Sequence, residues 1–120
     1  MPSERAERVG AVIKKEIAEL LMRGVKDPRV GFVSVMAVQM SPDLKYASVY
    51  VSLYGSEAER KGSLVGLQQA SGWVRREIGK RIRLRHTPEI RFMEDNTLDQ
   101  VYRLEERIRE LHESEPSGDE

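Results

Sequence analysis

The chain has no cysteine, few aromatic residues and no long hydrophobic run, and each of these absences excludes a class of protein. Without cysteine there is no disulfide framework, thiolate nucleophile, Cys-ligated zinc or iron–sulfur cluster, so a disulfide-stapled secreted domain is excluded. No apolar run approaches the roughly 18 residues that span a bilayer, and the charged start Met1–Arg5 lacks a signal-peptide pattern. We therefore expect a protein of the reducing cytoplasm that does not enter a membrane.

Charge is unevenly distributed along the 120 residues, which suffice for one domain, although its total is zero. Residues 60–93 hold nine basic and two acidic side chains, a net of +7. Residues 94–120 hold three basic and ten acidic side chains, a net of −7. A basic segment beside an acidic end is typical of a surface that faces a polyanion, although the two segments could also pair with each other in the fold. We favour the polyanion, because the basic residues share a helical face.

Hydrophobic periodicity predicts a helix followed by a β-hairpin in the first half of the chain. Apolar residues at three- and four-residue steps indicate a first helix that ends at Gly24 and Asp27-Pro28. Residues 30–40 are β-branched and apolar, and residues 46–54 alternate between apolar and polar without a fault. The two segments are joined by the turn residues 41–44, so they should pair as antiparallel strands.

The second half of the chain predicts helices around one more strand. A long helical stretch should be followed by a third strand at residues 89–93 and by a last helix beginning at Asn96 or Thr97. Residues 114–120 cannot bury anything and should be a disordered acidic tail. The sequence therefore predicts one α+β domain over residues 1–113, with a three-stranded sheet and helices on one face.

A glycine lies in the middle of the long helical stretch. Gly72 follows Ala70 and Ser71, and a mid-helix glycine costs roughly 1 kcal/mol relative to alanine. We expect a bend or break at these three residues, which would give two helices rather than one. Thr87-Pro88 should end the second of them, because the residue before a proline resists the α region.

Basic residues gather on one side of the helix expected after the kink. At 100° per residue, four of them fall within an arc of roughly 140°, apart from the apolar positions. They are Arg75, Arg76, Lys80 and Arg83, and Arg85 follows. Guanidinium groups suit phosphate, Gly72 permits close backbone approach, and a helix N-terminus after the kink would offer N–H groups to an anion. The pattern predicts a site for a nucleic-acid backbone, although such a face can also simply be solvated.

Tyrosines recur at every fourth position of the second strand, on one of its faces. Tyr46, Tyr50 and Tyr54 share one face, and aromatic side chains on a sheet can stack on bases. They can also pack beneath a helix or form cross-strand pairs. We favour these two structural roles over base stacking, because no basic residue beyond Lys45 lies among the tyrosines and nearby helices need a surface to cover.

Catalysis has little support in the sequence. His86 and His112 are the two histidines, one beside Thr87-Pro88 and one near the C-terminus. No phosphate-binding glycine loop and no histidine or carboxylate cluster with metal-ligand spacing occurs. We therefore expect a binding protein that needs no cofactor and no metal, rather than an enzyme.

Several blocks of the chain, in the same order, resemble the ribosome-binding factor A family of bacterial small-subunit maturation factors, over about Ser3 to Leu111. The blocks are Asp27-Pro28-Arg29-Val30-Gly31-Phe32-Val33, Ser41-Pro42-Asp43-Leu44-Lys45-Tyr46-Ala47, Ala70-Ser71-Gly72, Arg75-Arg76-Glu77-Ile78-Gly79-Lys80-Arg81 and Arg83-Leu84-Arg85-His86-Thr87-Pro88-Glu89. The resemblance implies a single KH-like domain in which an interhelical Ala-x-Gly kink, here Ala70-Ser71-Gly72, replaces the Gly-x-x-Gly loop of ordinary KH domains.

The resemblance also implies a function. The family binds the free 30S ribosomal subunit, assists late maturation and 5′-end processing of 16S rRNA, and supports growth in the cold. It leaves the mature subunit, with help from an assembly GTPase in some bacteria. Applied to this chain, it implies that Arg75, Arg76, Lys80, Arg83 and Arg85 neutralise rRNA phosphates and that Lys14, Lys15, Arg5 and Arg8 extend the footprint. We expect a monomer. A generic KH-like RNA-binding module and an enzyme acting on RNA are the alternatives.

Overall fold

The computed structural model describes residues 4–95, which form two helices and one three-stranded sheet. The elements are α1 (Glu4–Met22), β1 (Val33–Met40), β2 (Tyr46–Leu53), α2 (Glu57–Arg81) and β3 (Glu89–Glu94). Their order confirms the α+β fold expected from the sequence. The helix expected from Asn96 or Thr97 and the acidic tail over residues 114–120 lie outside the described residues.

The β1–β2 hairpin forms because its turn residues bond to one another. The Ser41 hydroxyl donates to Asp43 Oδ1 at 2.6 Å and accepts from the Tyr46 N–H at 3.0 Å. Asp43 Oδ1 also accepts from the Lys45 N–H at 3.0 Å, and Leu44 has a φ of 62°. The strands then pair antiparallel, with a bulge at Met36 where the register shifts. The turn expected at residues 41–44 is thereby confirmed.

The third strand pairs with β2 in parallel, so the sheet order is β1-β2-β3 and β2 is central. Parallel neighbours need a crossover connection, and α2 provides it. The register places Ala47 beside Ile90 and Val49 beside Phe92. All four side chains are buried, which fixes one face of the sheet as the core face.

The core lies between that face and the two helices. It joins Ile13, Ile17 and Leu20 of α1 to Leu67, Val74 and Ile78 of α2 over the alternate residues of β2. Complete burial of an aliphatic side chain stabilises a fold by about 1.5–3 kcal/mol, so this cluster holds both helices on one side of the sheet. The expected core face of β2 is confirmed by Ala47, Val49, Val51 and Leu53, which are all buried.

Helix α2 is one continuous helix of 25 residues. It begins at a capping box in which the Glu59 N–H donates to the Ser56 hydroxyl at 3.1 Å and the Ser56 N–H donates to Glu59 Oε1 at 2.9 Å. It passes through Ala70-Ser71-Gly72 without a break, so the expected division into two helices is wrong. Leu67 and Val74 are fully buried on either side of Gly72, and their packing outweighs the cost of about 1 kcal/mol of one helical glycine.

The C-terminus of α2 also lies earlier than expected. Ile82 is extended, and its N–H donates to the Ile78 carbonyl at 2.9 Å, so the helix ends at Arg81 rather than at Thr87-Pro88. Pro88 is fully buried at the end of the connection to β3. Neither described helix has the length and apolar character needed to cross a membrane.

Candidate nucleic-acid interface

The C-terminal half of α2 carries three exposed cations on the side away from its buried residues. Val74 and Ile78 are fully buried, whereas Arg75, Arg76 and Lys80 are exposed. Because α2 is helical throughout this half, 100° per residue places the three cations within an arc of about 140°. One side of the helix thus contributes to the core, and the other is basic.

The three cations differ in what they already contact. Arg75 donates from Nε and Nη2 to the Thr87 carbonyl, at 3.2 and 3.0 Å, which occupies two donors but leaves its charge uncompensated. Lys80 forms an ion pair with Glu77 at 3.1 Å, and its side chain is 74% exposed. Exposed pairs of this kind contribute about 0–1 kcal/mol, so a phosphate can replace Glu77. Arg76 has no hydrogen-bond or ion-pair partner among residues 4–95.

Arg83 and Arg85 are placed by the connection after α2 and not by a helix. Both are exposed, and neither has an ion-pair partner within the described part of the chain. The prediction that Arg83 shares a helical face with the other cations is therefore wrong, because the helix has already ended at Arg81. The connection is held against α2, since a Cβ built on Gly79 would lie 2.9 Å from Thr87 Oγ1. This contact keeps the two arginines near the C-terminal end of the helix.

The Ala70-Ser71-Gly72 segment does not offer the anion site expected from the sequence. Its backbone N–H groups lie inside a continuous helix, so no helix N-terminus exists there. The Ser71 hydroxyl donates to the Gln68 carbonyl at 2.7 Å. Gly72 is exposed, and a Cβ built on it would meet only Arg76 Nη1, at 3.7 Å. What remains at Gly72 is an open surface beside Arg76.

The first helix adds exposed cations of its own. Lys14 and Lys15 are exposed on α1, as are Arg5 and Arg8. Arg81 joins the two helices, because Nη1 lies 3.5 Å from Glu16 Oε1 and 3.8 Å from Glu19 Oε2. Arg81 thus serves the packing of α1 against α2.

Arg29 is a residue of this surface that the sequence reasoning did not select. It donates from Nη2 to Asp27 Oδ2 and to Gln69 Oε1, both at 2.6 Å, and from Nε to Asp27 Oδ1 at 3.0 Å. Gln69 lies on α2, seven residues before Arg76, so Arg29 is held beside the same side of the helix. The hydrogen bonds from Arg29 lower the pKa of Asp27 from 3.8 to about 2. The Asp27-x-Arg29 spacing was visible in the sequence, but its connection to Gln69 was not.

The tyrosines of β2 do not pack beneath either described helix. Tyr46 and Tyr50 lie on the sheet face opposite the core, where the Arg91 guanidinium sits 4.3 Å from the centre of the Tyr46 ring. That contact joins neighbouring strands, as the cross-strand alternative expected. Tyr54 lies beyond the strand and contacts Phe32 instead, with ring centroids 5.2 Å apart.

The described part of the chain contains no cluster of side chains that could bind a metal ion. Among residues 4–95, no three histidine, aspartate or glutamate side chains are grouped so that they could hold a metal ion. His86 is exposed in the connection after α2, and His112 lies outside the described residues.

Comparison with known proteins gives a consistent result over nearly the whole chain. The profile of the family described as ribosome-binding factor A matches residues 5–108. Ribosome-binding factor A of Halothermothrix orenii is 45% identical over 120 residues, which cover 100% of this chain and 98% of that protein. The protein of the same description from Brevibacillus brevis is 49% identical over 120 residues, which cover 100% and 99%.

Structures of proteins with the same description superpose on this chain. The crystal structure of ribosome-binding factor A from Thermus thermophilus superposes with a TM-score of 0.66 and 29% identity, over 74% of this chain and 93% of that one. A homology model of the Thermus thermophilus factor, fitted into the cryo-EM map of a complex with 30S, superposes with a TM-score of 0.63 and 28% identity. That match covers 76% of this chain and 96% of the other.

Proposed function

Because the chain belongs to the ribosome-binding factor A family, we propose that it binds the free 30S ribosomal subunit and assists late maturation of 16S rRNA, including processing of its 5′ end. The fitted 30S complex of the Thermus thermophilus relative supports the choice of partner. The protein then acts in the cytoplasm, where ribosomes are assembled, and supports assembly in the cold. It acts as a monomer without cofactor or metal.

The mechanism is binding rather than catalysis. The exposed cations around the C-terminal end of α2 neutralise rRNA phosphates and hold a conformation that is incompatible with subunit joining. These cations are Arg75, Arg76, Lys80, Arg83 and Arg85, with Lys14 and Lys15 of α1 extending the footprint. Ala70, Ser71 and Gly72 contribute an open helix surface on which a backbone can approach. An assembly GTPase acts on the complex when the subunit is mature.

The location of the proposed RNA interface rests on the exposure and the surroundings of Arg76. It is exposed, it has no partner among residues 4–95, and the adjacent Gly72 leaves space beside it. A guanidinium group with all its donors available suits bidentate contact with a phosphate. Lys80 lies one turn further along the same helix, and a phosphate can replace Glu77 in its weak surface ion pair.

Charge reversal tests the placement. We expect Arg76→Glu combined with Lys80→Glu to weaken binding to purified 30S subunits while the protein stays folded. Each lost phosphate contact should also reduce the slope of log affinity against log salt by roughly 0.7 to 0.9. Arg91→Glu is the control, because it reverses one charge on the opposite sheet face, half of the change made by the double variant, and it should leave the slope unchanged. Unaltered affinity and salt slope in the double variant would place the interface elsewhere.

Sedimentation separates this proposal from the alternatives. The full chain should migrate with free 30S subunits and be absent from joined ribosomes. Equal affinity for any RNA duplex, without preference for the subunit, would indicate a generic KH-like binder. Cleavage or modification of precursor rRNA by the purified protein alone would indicate an enzyme.

A further inference from the structure

Two aromatic side chains lie exposed together at the other end of α2. Phe32 is 73% exposed and Tyr54 is 52% exposed, and their ring centroids are 5.2 Å apart at an interplanar angle of 58°. An open cleft of about 440 Å³ lies beside Tyr54 and is lined by residues of the 28–31 loop and of the first turns of α2. Most large apolar side chains of the described chain are buried or half-buried, so an exposed pair of aromatic rings needs an explanation.

The loop that presents Phe32 is rigidly held. Ser63 of α2 is 3% exposed, and its hydroxyl donates to the Arg29 carbonyl at 3.1 Å while accepting from the Gly31 N–H at 3.2 Å. Val30 packs so closely on α2 that a Cβ built on Gly66 would lie 2.6 Å from Val30 Cγ2. The loop is therefore fixed on both sides of Gly31, and Phe32 follows it into solvent. A rigid loop that exposes an aromatic ring is preorganised for a contact.

This aromatic pair is continuous with the basic side of α2. Gly62, Gln69 and Arg76 follow one another at seven-residue steps, so they lie on one side of the helix. A Cβ built on Gly62 would lie 3.9 Å from Arg29 Cβ, and Arg29 donates to Gln69. From Gly62 to Arg76 the helix rises by about 21 Å. A single extended polymer can therefore contact the aromatic pair and Arg76 together.

The charged side chains near the pair are already engaged within the protein. Glu57 forms an ion pair with Lys61 at 3.2 Å, and Glu59 is engaged in the capping box with Ser56. The charge of Arg29 is balanced by Asp27 at 2.6 Å. A ligand at this end of the helix is therefore bound by contact with the aromatic ring faces rather than by net charge.

We propose that Phe32 and Tyr54 form a stacking platform for an unpaired nucleobase of the same RNA whose phosphates contact Arg76. The inference rests on the proposed function and adds a second, uncharged contact to it. Aromatic side chains bind bases of single strands through their π faces, with little dependence on base identity. The Asp27-to-Phe32 block, which the basic helix does not explain, then has the role of holding Phe32 in place.

The test uses Phe32→Leu, which keeps an apolar side chain but removes the ring, with Tyr46→Leu at the opposite end of β2 from Tyr54 as matched control. Affinity of the full chain is measured for 30S subunits and for a hairpin RNA with or without a single-stranded adenosine extension. We expect Phe32→Leu to weaken binding to 30S and to the extended hairpin by roughly tenfold, with an unchanged salt slope. Tyr46→Leu should bind like the wild type. Replacing one extension nucleotide by an abasic one should remove the difference between wild type and Phe32→Leu.

Three outcomes would overturn the platform. The first is wild-type affinity in Phe32→Leu, and the second is equal binding of the two hairpins by the wild type. The third is a loss of 30S binding in Phe32→Leu that comes without any change on the extended hairpin, which would assign the pair to a protein contact. In each case a reduced salt slope in Arg76→Glu would leave the proposed function standing. Failure of the wild type to bind 30S at all would instead reject the proposed function.

Discussion

The same substitution should have opposite effects at two glycines of α2. Gly66 and Gly72 are six residues apart in one helix, and each is replaced by alanine. A Cβ at Gly72 meets only the end of the flexible Arg76 side chain, at 3.7 Å. A Cβ at Gly66 lies 2.6 Å from Val30 Cγ2 and 3.2 Å from Asp27 Cγ. The two sites share the helix and differ in their neighbours.

The magnitudes follow from those distances. Alanine is favoured over glycine in a helix by about 0.8–1.0 kcal/mol, and Gly72→Ala should gain this amount. Such a gain raises the Tm of a domain of this size by roughly 4–8 °C. Gly66→Ala gains the same amount but must displace Val30, whose branched side chain has little rotamer freedom, and overpacking of this kind costs about 1–3 kcal/mol. The propensity gain is common to both variants, so Gly72→Ala should be the more stable by about 1–3 kcal/mol.

Thermal and urea unfolding of the full chain, followed by far-UV circular dichroism, measure this difference. The comparison requires equal m-values, because a changed m-value would mean a changed native or denatured state. A Gly72→Ala protein that is less stable than the wild type would refute the continuous helix at residues 70–72. A Gly66→Ala protein as stable as Gly72→Ala would refute the close packing of the 27–32 loop on α2.

The loop offers two further predictions. Because the pKa of Asp27 in the folded protein is lowered from 3.8 to about 2, its carboxylate stabilises the fold above pH 3.8, and this contribution is lost as the pH falls towards about 2. In urea titrations, the stability difference between the wild type and Asp27→Asn should therefore be constant near neutral pH and shrink as the pH falls from 3.8 to about 2. A stability difference that persists below about pH 2 would contradict the Arg29 contact as its cause. Ser63→Ala leaves the Arg29 carbonyl and the Gly31 N–H without their partner and should cost about 1–3 kcal/mol. Ser71→Ala is its control, because the Gln68 carbonyl that loses the Ser71 hydroxyl lies within a helix. Similar unfolding midpoints for the two variants would show that the Ser63 hydrogen bonds do not hold the loop.

Local patterns determined much of this protein. The alternation in residues 46–54 dictates which side chains of β2 are buried, because successive side chains of a strand point to opposite faces whatever lies beside it. Ser41 and Asp43 dictate the hairpin turn through bonds to their own neighbours. The exposed positions of Arg75, Arg76 and Lys80 follow from helical period and from the apolar residues between them. The family resemblance, carried by blocks of residues in order, was likewise available from the chain alone and is confirmed.

Tertiary structure decided the rest. The glycine in Ala70-Ser71-Gly72 favours a break locally, but burial of Leu67 and Val74 against the sheet keeps α2 whole. The partners of Arg29 and Arg75, which are Gln69 and the Thr87 carbonyl, lie 40 and 12 residues away along the chain. No periodicity in sequence encodes such contacts, because they exist only once the loops are folded onto α2. The pairing of Phe32 with Tyr54 likewise arises because the sheet brings the two ends of the hairpin together.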